Sequence, residues 1–185
     1  MLNWLRSRWK KLLLDAVLIL AVVTAVQLYQ SRGLPEGIAP PLEGAMTDGH
    51  TVKVGAGETG RPSGRRWPEE ATAPGAQLVV FWATWCPVCK LEEGNIESAA
   101  SDWPVVTVAM QSGNAAAVSK HLQERSLKLP ALVDEDGKHA ANWKVRGVPT
   151  HFILDPAGNV RFRIVGYATT LGLHARLWWA QHVPL

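Results

Sequence analysis

Hydrophobic positions fall into two regimes along the chain. From Leu12 to Leu28 they run almost unbroken, with Asp15, Thr24 and Gln27 as the polar members. A spanning helix needs about 17–25 such residues, so the run predicts a transmembrane anchor over 12–29. Beyond it the apolar residues come in short clusters. Residues 30–40, rich in Pro and Gly, read as a linker, and the domain proper is expected over 41–185. Leu42–Met46 and Thr51–Val54 flank Thr47-Asp48-Gly49-His50 and read as a small hairpin. Gly55 to Gly75 reads as a loop.

From Gln77 the pattern sharpens. Gln77–Ala83 (QLVVFWA) is a continuous run of β-formers, the mark of a strand buried on both faces. Cys86 to about Ser101 reads as a helix with Leu91 and Ile96 apolar, broken by Trp103-Pro104. Val105–Met110 is a second buried strand. Asn114 is suited to cap a helix through about Arg125. Ala131–Asp134 predicts a short strand closed by Asp136-Gly137, and His139–Lys144 a short helix. Thr150–Asp155 is a strand that Pro156-Ala157-Gly158-Asn159 turns back into Val160–Val165. Thr169 or Thr170 caps a final helix carrying Leu173, Leu177 and Trp178. Alternating strands and helices give an α/β domain with a sheet covered on both faces.

Charge changes the picture only at the N-terminus. The formal net charge of the 185 residues is +3, and much of the excess lies in the basic segment 1–11. Arg6, Arg8, Lys10 and Lys11 precede the apolar run and Arg32 alone follows closely, so the positive-inside rule places the N-terminus in the cytoplasm. Trp4, Trp9 and Tyr29 suit the membrane interface. A cleaved signal peptide shares this layout, but Thr24-Ala25-Val26 is a weak cleavage site. Either way the domain is exported, to the periplasm in a Gram-negative cell. No basic groove accompanies the nine tryptophans, Trp82, Trp103, Trp143, Trp178 and Trp179 among them, so nucleic-acid binding is not expected.

The candidate chemistry sits in Trp85-Cys86-Pro87-Val88-Cys89-Lys90, which holds both cysteines of the chain. Cys86 ends a strand and opens a helix, near the N-cap. Pro87 takes the first helical position, where its missing N–H costs nothing. The helix N-terminus stabilises a thiolate at Cys86, the attacking species in thiol–disulfide exchange. A structural disulfide closing so small a loop would contribute little. Zinc would need two further ligands, and no second C-x-x-C and no H-x(3–5)-H pair is present, so no metal site is assigned. Two readings stay beside exchange: a Cu(I) module using both thiolates, and a tethered domain that only holds partners. His121, His139, His174 and His182 show no ligand spacing.

The runs FWATWCPVCK and KVRGVPTHFILDPAGNV together resemble the thioredoxin superfamily. The anchor, WCPVC and the following LEEG are most similar to its membrane-tethered, periplasmic TlpA/ResA-like branch, and within it to the suppressor-of-copper-sensitivity D proteins. The resemblance covers about residues 39–182. It implies a thioredoxin-like fold, a central mixed sheet flanked by helices with an N-terminal β-hairpin. It implies Cys86 as nucleophile, Cys89 as resolving thiol, and Glu92 as a carboxylate that manages the proton on Cys89. The plain alternative for Glu92 is a solvated helix residue. The substrate would meet Trp85, Pro87, Val88, Val148 and Pro149, the last matching the family's cis-proline. The redox-active Cys86–Cys89 pair would serve without a cofactor. Partners would be exported proteins bearing disulfides and a membrane electron donor of the DsbD/ScsB type, at the inner membrane.

The chain departs from the family in places. Val80 stands where thioredoxins carry a buried acid. Gly94 replaces a helix-kinking proline. Thr150-His151 follows the cis-proline position where cytochrome c maturation members carry an acid. His151, two residues from Pro149, could face the site, although a strand histidine is more often a structural or surface residue. Pro87-Val88 does not fix the direction of reaction.

Overall fold

The structure is a computed structural model, and it describes residues 2–55 and 75–183. The loop expected over 55–75 lies, except for its ends, outside them, as do the side chains of Trp4, Arg6, Arg8 and Lys10. The chain divides into two compact units, one ending at Arg32 and one beginning at Gly33.

The first unit is a single helix, α1 (Leu2–Gln30). Its segment Lys11–Gln30 is long and apolar enough to cross a membrane. At about 1.5 Å per residue, such a length matches the roughly 30 Å hydrocarbon core. Leu12, Leu13, Leu14, Leu18 and Leu20 are all exposed. Thr24 bonds its hydroxyl back to Leu20 O at 2.7 Å, so its polar group is met within the helix.

The second unit carries a six-stranded sheet. Its strands are β1 (Gly37–Ile38), β4 (Gln77–Trp82), β5 (Val105–Met110), β6 (Ala131–Asp134), β7 (Thr150–Leu154) and β8 (Asn159–Val165). Their order is β1-β8-β7-β4-β5-β6. β4, β5 and β6 run parallel, whereas β7, β8 and β1 pair antiparallel. A separate hairpin joins β2 (Leu42–Ala45) to β3 (Thr51–Val54). Its reversal uses Gly49, whose φ of 86° suits a residue without a Cβ. Helices α2 (Pro87–Asp102), α3 (Ala115–Glu124), α4 (Lys138–Asn142) and α5 (Thr170–His182) complete the domain.

Strand alternation sorts the core into two faces. Val79 and Phe81 of β4 pack with Leu42, Val52 and Val54 of the hairpin, and with Trp143 just after α4. Leu78 and Val80 pack on the other side with Ile96 and Ala99 of α2, and with Leu173 and Leu177 of α5. Both faces of β4 are therefore dry, which is why its sequence is a continuous apolar run. One face is covered by helices and the other chiefly by the hairpin and the short α4.

Three expectations need correction. The 30–40 stretch, read as a linker, enters the sheet: Gly37 and Ile38 pair with Val160 and Asn159, and Leu34 and Ala39 are buried. An unpaired edge on β8 would leave its backbone groups open, and a two-residue strand between Pro35 and Pro40 closes it. Within α2, Leu91 faces out at 74 % exposure while Glu92 is 1 % exposed. In α5 the buried stripe is Leu173, Leu177 and Ala180; Trp178 turns outward and stacks on His182. Helix α1 starts ten residues before the expected span; elsewhere the element bounds agree within a residue or two, and Asn114 and Thr169 cap α3 and α5 through their side chains.

Candidate active site

β4 delivers the chain to the site. After Trp82, the Cys86 N–H bonds to Ala83 O at 3.1 Å, tightening a turn that presents Thr84 and Trp85. The loop after β5 braces that turn. Ser112 Oγ accepts the Thr84 N–H at 3.1 Å, and Gln111 O accepts the Trp85 indole N–H at 3.1 Å.

Cys86 is the N-cap of α2, with extended backbone, and Pro87 opens the helix. Cys86 Sγ accepts the Cys89 backbone N–H at 3.1 Å. This is the role a serine or aspartate oxygen plays at other helix starts, with sulfur in its place. The two cysteines are joined as a disulfide, their Cα atoms 5.4 Å apart. Both are nearly covered, whereas Trp85, Pro87 and Val88 around them are exposed. A partner therefore meets a small apolar rim with sulfur at its floor.

The second wall comes from the segment before β7. The Val148–Pro149 bond is cis, and Val148 O lies 3.6 Å from Cys86 Sγ. A disulfide sulfur carries no proton, so this is a contact in the oxidised state; the thiol of the reduced state has a proton to donate there. Thr150 Oγ1 donates to Gly147 O at 2.7 Å, and the Gly166 N–H to Pro149 O at 2.8 Å. Those bonds hold the segment from both sides.

Beneath the cysteines lies Glu92. It is not a solvated helix residue. Its Oε1 is 3.0 Å from His151 Nε2, and its Oε2 accepts the Ala168 N–H at 3.0 Å. A carboxylate so deeply buried needs such partners. A cavity of about 50 Å³ adjoins it, lined by Val80, Trp82, Cys89, Glu92 and Thr107 among others. Cys89 and Glu92 both line it. Nearby, Glu93 is held by Arg125, and Glu97 accepts the Lys128 N–H. On α3, His121 lies against Trp82, ring centroids 5.7 Å apart. Burial holds its imidazole below the ordinary value, with Lys90 and Arg125 adding to the effect and Glu93 and Glu124 opposing it.

His151 faces the site rather than the surface: it is fully buried and bonded to Glu92. The sequence held one usable signal. Cys89, Glu92 and Ile96 are spaced i, i+3, i+7, which is one helical stripe, and a glutamate on a buried stripe calls for a partner. Among the described residues no group of three His, Cys, Asp or Glu is gathered so as to hold a metal.

With this geometry in place, comparison with known proteins gives the family. The AhpC/TSA family model matches residues 69–163, just over half of the chain. The chain belongs to the AhpC/TSA family. This AhpC/TSA-family chain is 32 % identical over 105 residues to a thioredoxin-like protein of Haemophilus influenzae, covering 56 % of this chain and 62 % of that one. It is 35 % identical over 94 residues to a thiol:disulfide interchange protein DsbE homolog of Paracoccus denitrificans, covering 50 % and 52 %. Both matches thus span about half to three fifths of those relatives' length. The thiol:disulfide interchange protein DsbE of Tatumella citrea aligns almost throughout, 27 % identical over 180 residues, 95 % of this chain and 94 % of that one. Among solved structures, that of MTB DsbF in mixed oxidized and reduced forms superposes with a TM-score of 0.55 and 25 % identity, over 76 % of this chain and 95 % of that one. A thioredoxin family protein of Chlorobium tepidum gives 0.59 at 20 % identity, over 79 % and 97 %. The fold is thioredoxin-like, and homologues of this AhpC/TSA-family chain are named thiol:disulfide interchange proteins.

Proposed function

We propose that this protein is a membrane-tethered thiol–disulfide oxidoreductase that reduces, or exchanges, disulfides in exported proteins through Cys86 and Cys89. The observation that carries the reading is the placement of Cys86 Sγ. It caps α2, accepts the Cys89 N–H, and faces the Val148 backbone.

The chemistry follows from that placement. In the reduced protein the Cys86 thiolate attacks one sulfur of a substrate disulfide. A Cys86–substrate bond forms, and the other substrate sulfur leaves as a thiolate that takes a proton from water. Trp85, Pro87, Val88 and Val148 present the apolar rim and the backbone against which an extended substrate lies. Cys89 then gives its proton to Glu92 across the cavity and attacks Cys86 Sγ. The substrate's second thiolate departs, two electrons have moved to the substrate, and the enzyme holds the Cys86–Cys89 disulfide. A membrane dithiol donor of the DsbD/ScsB kind would restore the dithiol.

α1 supports a reading of the location. A helix of spanning length preceded by Arg6, Arg8, Lys10 and Lys11 supports an inner-membrane anchor with a cytoplasmic N-terminus and a periplasmic domain. The full-length alignment with a DsbE protein supports the same layout. The short anchor and the WCPVC-LEEG run favour the TlpA/ResA-like branch and its suppressor-of-copper-sensitivity D members.

Cys86→Ser abolishes exchange with an unchanged circular dichroism spectrum, and Cys89→Ser accumulates mixed disulfides visible on non-reducing gels. Full exchange activity in Cys86→Ser would rule the function out.

A further inference from the structure

We propose that His151 is a positioning residue for exchange: its Nε2–H holds Glu92 as an oriented carboxylate that receives the proton of Cys89. This deepens the function proposed above and rests on its reading of Glu92.

The hydrogen-bond arithmetic at the pair carries the argument. Each carboxylate oxygen has two lone pairs, so Glu92 keeps a free acceptor site for a proton from Cys89 beside the cavity that both line. With Oε2 taken by the Ala168 N–H, the proton shared at rest across the 3.0 Å to His151 sits either on Nε2 or, as a carboxyl hydrogen, on Oε1. The carboxyl arrangement forces the histidine hydrogen onto Nδ1. Nδ1 is buried and has no hydrogen-bond partner. Orphaned buried N–H groups are rarer than under-satisfied acceptors. The opposite tautomer has Nε2–H donating and Nδ1 bare. It gives the carboxylate two donors and strands only a lone pair.

Position explains why a histidine serves here. His151 pairs with Val80 across the β4–β7 ladder and with Ile164 across β7–β8, so all three point to the α2 side. Val80 lines the cavity that Cys89 and Glu92 share. The ionisable group supporting the site thus sits one strand over, on β7, two residues after Pro149. The charged groups around it are accounted for. β4 and β8 offer Val80 and Ile164, α2 offers Glu92 on the ring, and α5, which packs on β7, carries His174, held by Ser98 and Asp102, and Arg176, bonded to Gly172 O. Glu93 and Glu97 share the cavity but are engaged by Arg125 and by the Lys128 N–H. Without the Nε2 donor, Glu92 keeps one hydrogen bond in an apolar setting, and its charged form becomes costly. Proton removal from Cys89 then needs a higher pH.

The test uses the full chain in detergent, reduced, mixed in stopped flow with a chromogenic aromatic disulfide across the neutral pH range. The first absorbance phase reports attack by Cys86 and the second reports resolution by Cys89. His151→Leu slows the second phase about tenfold at neutral pH and moves its pH midpoint up by about one unit, leaving the first phase unchanged. His151→Gln, whose amide N–H reaches the same place, restores the wild-type profile. If His151→Leu keeps the wild-type profile while Glu92→Gln loses it, the role of His151 is wrong and that of Glu92 stands. If Glu92→Gln also keeps the profile, the reading of Glu92 itself fails. Nitrogen NMR of the wild-type chain labelled in histidine decides independently of how the variants fold: a protonated Nε2 with a bare Nδ1 supports the proposal, and a protonated Nδ1 with a bare Nε2 overturns it.

Discussion

Ser112 fastens Thr84. Its hydroxyl accepts the Thr84 N–H at 3.1 Å and donates to Met110 O at 3.0 Å. One side chain at the end of β5 thereby fixes the turn that precedes Cys86. Ser112→Ala strands the Thr84 N–H in a partly buried place. Urea unfolding should show a loss of about 1–2 kcal/mol, and the attack phase of exchange should slow, because the turn that aims Cys86 loosens.

Much of this framework is legible in the sequence, and the rest is not for definable reasons. β4 and β5 are short runs of β-formers buried on both faces, so composition alone marks them. Asn114 and Thr169 announce their helices because a cap acts within three residues. β1 is invisible because its two residues gain strand character only by pairing with Val160 and Asn159, far along the chain. Glu92 and His151 defeat polarity rules because each satisfies the other. The outward Leu91 beside the inward Glu92 inverts the expected helix pattern at the site. Cys86 and Cys89 stand out in the sequence because they are the chain's only cysteines.

The reduction potential depends on what faces Cys86. A thiolate there gains the Cys89 N–H and the helix N-terminus, but Val148 O lies 3.6 Å away and favours a protonated sulfur. The reduced state is therefore only moderately stabilised. Equilibration with glutathione should give a potential nearer that of thioredoxin, about −270 mV, than that of the strong oxidant DsbA, about −120 mV. A value at the oxidising end would reverse the proposed direction of electron flow.

His121 should make stability fall in mild acid. Burial keeps its folded-state value below the ordinary 6.5, chiefly by desolvation. In that window the unfolded chain binds the proton and the folded chain does not. The contribution of His121 is thus complete above about pH 6.5 and is lost as the pH falls through the depressed folded-state value. His121→Phe keeps a ring against Trp82 and removes the proton. Thermal melts between about pH 7 and about pH 5 should show a shallower fall in Tm for the variant; equal slopes would contradict this.

Trp143 carries the hairpin-side core. It is fully buried, 5.7 Å from Phe81 and 4.8 Å from Phe152 between ring centroids, yet its indole nitrogen has no partner. Trp143→Ala should cost about 3–5 kcal/mol in urea unfolding. Trp143→Phe should cost clearly less, since it keeps most of the packing and removes the stranded N–H.

β4, which delivers Cys86, is flanked by β5 on one side and β7 on the other and is covered on both faces. Amides in such a strand exchange with solvent only through global opening, whereas edges and termini open locally. The reactive turn is therefore spliced to the last part of the domain to come apart. The fluctuations that expose backbone to proteases should begin at the edge strand β1, leaving the sulfur pair in register until the whole domain unfolds.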